Sequence, residues 1–195
     1  MVVDPSLPAR TVGEFIAYAK ANPGRINMAS AGTGSIIHLA GELFRMMTGV
    51  DLVHVPYRGS GPALAALLAG EVQVLFASAP SAIALVRSGK LRALAITSAT
   101  RSDALSELPT VGETVSGFEL DTWHGVGAPR GTPVEMIDRL NREINAALAE
   151  PAMKARFAEL GYVPMPMTPA GFGRYIADET NKWTRVVKFA GIRLE

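Results

Sequence analysis

The chain has 195 residues, 48% of them hydrophobic, with 19 Lys and Arg against 18 Asp and Glu. That is enough for one large domain, or one and a half small ones, around a sizeable core. The near-neutral balance offers no basic face for nucleic acid, no apolar run approaches the roughly 20 residues of a membrane span, and the absence of cysteine excludes disulfides, thiolate metal sites and a cysteine nucleophile without fixing a compartment.

Met1-Val2-Val3-Asp4-Pro5 lacks the basic and apolar regions of a secretory signal and reads as a strand already under way at the first residue. Thr11-Val12-Gly13-Glu14 fits a capping box, opening a helix to about Ala21 that Asn22-Pro23-Gly24 stops. Ile26–Ala29 predicts a strand. A loop of small, hydroxyl-bearing residues follows, Ser30-Ala31-Gly32-Thr33-Gly34-Ser35, and then an amphipathic helix over Ser35–Thr48 that Gly49 ends. Leu52–Val55 is a further strand, and Pro56–Gly61 a second loop. Pro62 suits the first position of a helix over Ala63–Ala69 closed by Gly70. Val72–Phe76 and Leu91–Ile96 are strands, separated by a helix over Pro80–Ser88 with Gly89 past its end. Strands alternating with helices through short connections predict a mostly parallel sheet covered by helices, an α/β fold.

Beyond Thr97 the pattern changes. A polar loop with one short helical turn reaches Gly117, and Phe118–Val126 looks extended. Thr132-Pro133-Val134-Glu135 fits a second capping box, with proline at the first helical position, opening a helix to about Glu150. Pro151–Leu160 is another helix, ended by Gly161, and Thr168 or Pro169 opens the last one, through Trp183 towards Lys188. Amphipathic helices need an apolar partner. Either these pack back on the first sheet, or a second sheet lies outside this chain. Leu194-Glu195 reads equally as native sequence or as a cloning remnant.

Ligands of an open parallel sheet sit beyond the carboxyl ends of its strands. Three segments are expected there: Ser30–Ser35, Pro56–Gly61 and Ala77–Ser81. They carry Ser30, Thr33, Ser35, Tyr57, Arg58, Ser60, Ser78 and Ser81, with the N–H groups of Gly32 and Gly34. Glycines let the backbone turn and approach a ligand closely. Ser35 can cap the following helix, whose unpaired first-turn N–H groups favour a carboxylate or phosphate. The plainer alternative is a strand-to-helix turn that needs glycine and binds nothing. His38 lies one turn into the helix and could reach the site, or make an ordinary structural hydrogen bond. His54, between Val53 and Val55, reads as a strand residue facing a helix. Arg58 could pair with a carboxylate or stand solvated.

Enzyme motifs are missing. There is no Gly-x-Ser-x-Gly elbow, no His-Glu-x-x-His and no Walker lysine. A dinucleotide fingerprint fails because Ile37 stands at its third glycine and Asp51 precedes its strand. No metal and no cofactor are expected. A hydrolase or transferase using Ser30 or Ser35 with His38 is the alternative function, and an oligomeric remnant without ligand function a third.

Several ordered segments together resemble one family. They are Ala29-Ser30-Ala31-Gly32-Thr33-Gly34-Ser35 with His38-Leu39 and Glu42-Leu43-Phe44; His54-Val55-Pro56-Tyr57-Arg58-Gly59; Gly89-Lys90-Leu91-Arg92-Ala93-Leu94-Ala95; Leu108-Pro109-Thr110-Val111; Trp123-His124-Gly125; Ala128-Pro129-Arg130-Gly131-Thr132-Pro133; and Lys182-Trp183. Across essentially its whole length the chain resembles the extracytoplasmic solute receptors of tripartite tricarboxylate transporters, the Bug or TctC-like receptors. The resemblance implies a periplasmic-binding-protein-like, three-layer αβα fold, with the ligand between two domains, a periplasmic location, and membrane transporter subunits as partners. It also implies that a signal peptide and an N-terminal segment building most of domain one are not in this chain. Residues 1–117 would be domain two, complete and carrying the ligand loop. Residues 118–195 would be the incomplete, mainly helical C-terminal part of domain one, which leads us to expect a homo-oligomer. Ser30, Gly32, Thr33, Gly34 and Ser35 would bind one carboxylate through hydroxyls and backbone N–H groups. Many members place an acidic or amide residue where this chain has Ala77-Ser78, so a dicarboxylate or aromatic carboxylate is expected rather than an amino acid.

Overall fold

A computed structural model describes residues 1–102, 105–159 and 162–192. The chain divides into two compact units, one built from Met1–Thr122 with Arg185–Glu195, the other from Trp123–Thr184.

The first unit holds a five-stranded sheet in the order β3-β2-β4-β1-β5, from β1 (Val2–Val3), β2 (Ile26–Ser30), β3 (Leu52–Pro56), β4 (Val74–Leu75) and β5 (Arg92–Ala93). β2 pairs in parallel with β3 from Ile26↔Leu52 to Ser30↔Pro56, and with β4 at Met28↔Val74 and Ala29↔Leu75. β1 lies antiparallel between β4 and β5. All four strands expected from the apolar runs share this sheet, and the first residues add a fifth. β4 is shorter than its apolar run because a side chain takes a ladder position. Gln73 Oε1 accepts from the Asn27 N–H at 2.9 Å, while the Gln73 N–H donates to the Asn27 carbonyl at 2.9 Å.

Four helices cover this sheet: α1 (Val12–Ala21), α2 (Ile36–Thr48), α3 (Ser60–Leu68) and α4 (Ala79–Arg87). Successive strand residues face opposite sides. Met28 lies beneath Gly41 of α2, and near α2 the rings of Phe15, Phe76 and Phe118 surround Phe44 at centroid distances of 5.9, 5.7 and 6.1 Å. Ala29 and Leu75 point the other way, into a cluster with Ala63, Ala66 and Leu67 of α3 and Ala82 of α4. Each fully buried large side chain here contributes about 1.5–3 kcal/mol of transfer free energy.

The caps differ from expectation in three places. Thr11 Oγ1 accepts from Glu14 N–H at 3.1 Å, but the Glu14 carboxylate takes the N–H of Arg10, one residue before the cap, at 2.6 Å. α3 begins at Ser60, with Gly59 as N-cap at φ 109°. Pro62 therefore sits third, where its missing N–H costs nothing because first-turn donors have no helical partner. The box expected at Thr132 does not form, since the helix starts one residue later with Pro133 as N-cap; the Thr132 hydroxyl donates to the Pro129 carbonyl at 2.8 Å. A full box appears instead at Thr110, before a 3-10 turn over Val111–Glu113.

Phe118–Val126 is not a strand. Phe118 and Leu120 are buried, and the Leu120 N–H bonds to Thr97 O at 2.8 Å. Among the described residues no ladder pairing continues past Leu120.

The second unit contains α5 (Val134–Ala149), α6 (Pro151–Glu159) and most of α7 (Pro169–Ala190). Leu160 and Gly161, expected to end α6, lie outside the described residues, as does Leu194-Glu195. Thr168 Oγ1 accepts from the Gly171 N–H at 3.1 Å and opens α7. The amides of Asn141 and Asn145 both donate to Met167 O, at 2.8 and 2.9 Å. Trp123 meets Phe172 and Tyr175 edge-on. Among its described residues none is buried, and Leu140 of α5 is 51% exposed.

Candidate functional site

β2, β3 and β4 are parallel, so their carboxyl ends reach the same edge of the sheet, with β2 between the other two. The loop after β2 is therefore central. Tyr57, just past β3, ties the second loop to it by donating its N–H to Ser30 O at 3.0 Å. Gly32 and Gly34 have φ of +125° and +78°, a region open to glycine and strained for residues with a Cβ. Ser35 is the N-cap of α2, its hydroxyl accepting from the His38 N–H at 3.3 Å.

Part of the loop's donor capacity is spent internally. The Gly32 N–H donates to Ser30 Oγ at 3.1 Å, the Ser35 N–H to Gly32 O at 3.1 Å, and the Gly34 N–H to His38 Nδ1 at 3.1 Å. Among the described residues, the N–H groups of Thr33, Ile36 and Ile37 have no partner. Of the expected donors from Gly32 to Ser35 only the Thr33 N–H is thus left, and the free first-turn N–H groups of Ile36 and Ile37 stand beside it at the positive end of the α2 dipole.

Beneath the loop lies a network the sequence does not announce. Ser30, fully buried, has its Oγ 2.6 Å from His54 Nε2. The His54 ring stacks on that of His38 with centroids 3.7 Å apart and planes 10° from parallel. His38 Nε2 is 3.5 Å from Glu42 Oε1, and both Glu42 oxygens accept from Arg45 Nη1, at 2.9 and 2.8 Å. Arg45 reaches Asp51 at 3.9 Å. His38, Glu42 and Arg45 share one face of α2 by their spacing. Their meeting with His54 follows from the strand register, which sets His54 opposite Met28 and Pro56 opposite Ser30.

Protonation states follow from these contacts. Because Gly34 N–H donates to His38 Nδ1, that nitrogen offers a lone pair, and the proton of the neutral ring sits on Nε2, facing Glu42. Burial first, then the repulsion from His38 once that ring carries a proton, outweigh the raising pull of Glu42 and, with a lesser effect of Arg45, hold His54 down at about 4. His54 is therefore neutral near pH 7. Burial alone would raise the Glu42 carboxyl, but hydrogen bonds from His38 and Arg45 outweigh it and keep Glu42 below the usual carboxylate range.

The candidate residues fall into two groups. Gly32, Thr33, Gly34 and Ser35 are at least partly exposed on the loop. Ser30 and His38 are buried and direct their polar atoms inward, so the structure places them under the loop instead of on its face. Tyr57 is half-buried, its hydroxyl pushed above its ordinary range by desolvation and the neighbouring Glu71 carboxylate. Arg58 is exposed and makes no ion pair among the described residues. Ser78 stands at the N-cap of α4 without capping a backbone N–H of that helix, and its hydroxyl pairs instead with Ser81 Oγ in the first turn at 2.9 Å. Among the described residues no cluster of His, Asp and Glu could hold a metal ion. The outward-facing set is one of neutral donors at a helix N-terminus, suited to reversible capture of a small anion.

A family model described as "Tripartite tricarboxylate transporter family receptor" matches residues 1–192. Protein BugT of Bordetella pertussis is 39% identical over 196 residues, a match covering 100% of this chain and 60% of BugT. The structure of Rhodopseudomonas palustris Rpa4515 with adipate superposes with a TM-score of 0.82 at 38% identity, covering 98% of this chain and 64% of that one. MatC (Rpa3494) from Rhodopseudomonas palustris with bound malate gives a TM-score of 0.73 at 30% identity, with 95% and 65% covered. The chain thus spans about 60% of the length of the curated relative BugT.

Proposed function

The chain belongs to the tripartite tricarboxylate transporter receptor family, and from that premise we propose that it captures a small carboxylate at the loop between β2 and α2 for delivery to a membrane transporter. Receptors of this family bind solutes and are periplasmic, and the periplasm is the compartment we propose here. The observation that carries the reading is the trio of unpartnered N–H groups at Thr33 in the loop and at Ile36 and Ile37 in the first turn of α2, beside two left-handed glycines that bring backbone, not side chain, towards a ligand. A carboxylate accepts from such donors without an arginine clamp. Relatives with adipate and malate support a dicarboxylate, and Ala77-Ser78 offers no carboxylate to an amino group. In this reading residues 1–117 are domain two, carrying the ligand loop, and 118–195 are the C-terminal part of domain one. The exposed apolar residues of α5 and α7 favour self-association.

The test is amide NMR of the 195-residue chain titrated with adipate and malate to tens of millimolar, which also registers weak binding. Shifts should concentrate at Thr33, Ile36 and Ile37 and vanish in Gly34→Val, where a β-branched residue is forced to φ +78°. Shifts spread elsewhere, or unchanged in the variant, would refute the assignment.

The pairing of Ser30 with His54 at 2.6 Å is the one feature that favours a serine hydrolase or transferase. Ser30 has no exposed surface, and its hydroxyl also accepts from Gly32, so no substrate carbonyl can approach it. Ser35 spends its hydroxyl on the His38 backbone. A serine-reactive phosphonate should leave no adduct.

A further inference from the structure

We propose that His54 and His38 are the positioning residues of the ligand loop: His54 holds Ser30, His38 holds Gly34, and the stack between the rings makes the two holds a single latch. The latch leaves the N–H groups of Thr33, Ile36 and Ile37 turned out for an anion, and only this last clause rests on the carboxylate reading.

The loop cannot fix itself. It has two glycines at positive φ and only short side chains, so its backbone entropy favours many shapes. The two imidazoles that reach into it come from different elements. His54 stands on β3, paired across the ladder with Met28, and takes Ser30 Oγ, which in turn accepts from the Gly32 N–H. His38 stands on α2 and takes the Gly34 N–H. The His38 ring is held from behind. Glu42 fixes His38 and is itself gripped through both oxygens by Arg45. With the rings 3.7 Å apart and nearly parallel, neither can swing without displacing the other.

The latch requires both rings to be neutral. A proton on His38 Nδ1 would set one N–H against another at Gly34. A proton on His54 would place a cation against the face of the neighbouring ring. The charged groups facing the pair are Glu42 and Arg45 from α2, with Asp51 behind Arg45 from the turn before β3. From β2 comes only the uncharged Ser30.

The experiment combines amide hydrogen exchange, ring nitrogen NMR and adipate titration on the full chain. At pH 7 the Gly32 and Gly34 amides should be protected relative to Thr33. His54→Phe keeps a ring to stack but removes the partner of Ser30. It should speed exchange at Gly32 about tenfold, as expected for losing one buried hydrogen bond, with the core amides of Phe44 and Met28 unchanged. Because the holds are linked, Gly34 should loosen as well, and His54→Gln should restore Gly32 in part. If His54→Phe does not fold, the wild-type chain still decides. On acidification, the Gly32 and Gly34 amide resonances should both move with the midpoint of the His54 imidazole nitrogens. Gly34 amides indifferent both to His54→Phe and to ring titration would overturn the latch. A latch that behaves as described while adipate leaves Thr33, Ile36 and Ile37 unmoved would support the positioning role and remove the carboxylate reading. Adipate shifts that persist in His54→Phe with unchanged Gly34 exchange would do the reverse.

Discussion

Gly41 is the position where one added methyl group should disturb both the packing of the first unit and the geometry of its loop. It lies in α2 directly over β2, and a Cβ built there would fall 1.8 Å from Met28 Sδ and 2.5 Å from Met28 Cε. Met28 is completely buried, so the thioether has little room to swing away. Forcing a methyl group into a packed core costs about 1–3 kcal/mol. Replacing glycine by alanine inside a helix returns about 1 kcal/mol. A contact this short belongs at the upper end of the first range, so Gly41→Ala should destabilise the chain by about 1–2 kcal/mol. With a urea slope of about 2 kcal/mol/M, the midpoint should fall by roughly 0.5–1 M. Met28→Ala alone should cost about 2–5 kcal/mol through the cavity it opens. In the double variant the new methyl group occupies part of that cavity, so the combined loss should undercut the sum of the single losses by about 1 kcal/mol or more. A Gly41→Ala protein more stable than wild type, or strict additivity in the cycle, would show that α2 does not press on Met28 in this way.

Three further outcomes are expected. His54 titrates at about 4 in the folded chain against an ordinary 6.5, so between these values the unfolded chain binds more protons. Stability should therefore fall as pH drops through that window, by at most about 3 kcal/mol and by less given the partial exposure of the ring; denaturation of His54→Gln across pH 4–7 should show a flatter curve. Glu113 is held at about 2 first by the hydrogen bond from Arg101, then by the Thr110 backbone N–H, so its contribution is complete above about 4.5 and fades as pH falls towards 2; Glu113→Gln should remove that part of the acid limb, with no change at neutral pH beyond that of a weakened surface pair. The second unit exposes Met136, Leu140 and Ile176 on its helices, so light scattering should report self-association that grows with concentration, and a concentration-independent monomer with a cooperative melt would contradict it.

The elements that could be read from the sequence are those whose start and stop signals are local. Ser35 and Gly49 bracket α2 as a hydroxyl cap and a left-handed glycine, and both are visible in the letters. Signals that depend on competition are not. Thr132-Pro133-Val134-Glu135 and Thr110-Val111-Gly112-Glu113 share the same spacing, yet only the second forms a box. At Thr132 the helix begins a residue late, with Pro133 as its N-cap, and the hydroxyl turns back to Pro129 O. Phe118 and Leu120 alternate like strand residues because both are buried, but burial of every second residue needs only a surface to lie on, not a ladder. The Gln73 side chain that replaces a backbone partner in β4 has no sequence signature.

The site divides in the same way. Its outer layer, glycines and hydroxyls opening a helix, was legible because the backbone conformation itself demands those residues. Its inner layer was not, because a histidine in a strand says nothing about which helix face it meets until the register is known. The helix half of the network, His38, Glu42 and Arg45, has a spacing that invites attention. The strand half, His54 with Ser30, joins it only when β3 pairs with β2 at the observed register. Burying one imidazole and a carboxylate, with part of a second imidazole and of a guanidinium, is costly, and apolar residues of similar volume commonly match or exceed such a group in stability. Sheet stability therefore does not account for their presence. What distinguishes these polar groups from an apolar filling is that two of them grip Ser30 and Gly34 at defined angles, which an aliphatic core cannot do. The cost of the network is best understood as falling on the loop: it fixes donors that a flexible glycine segment would otherwise scatter, before any anion arrives.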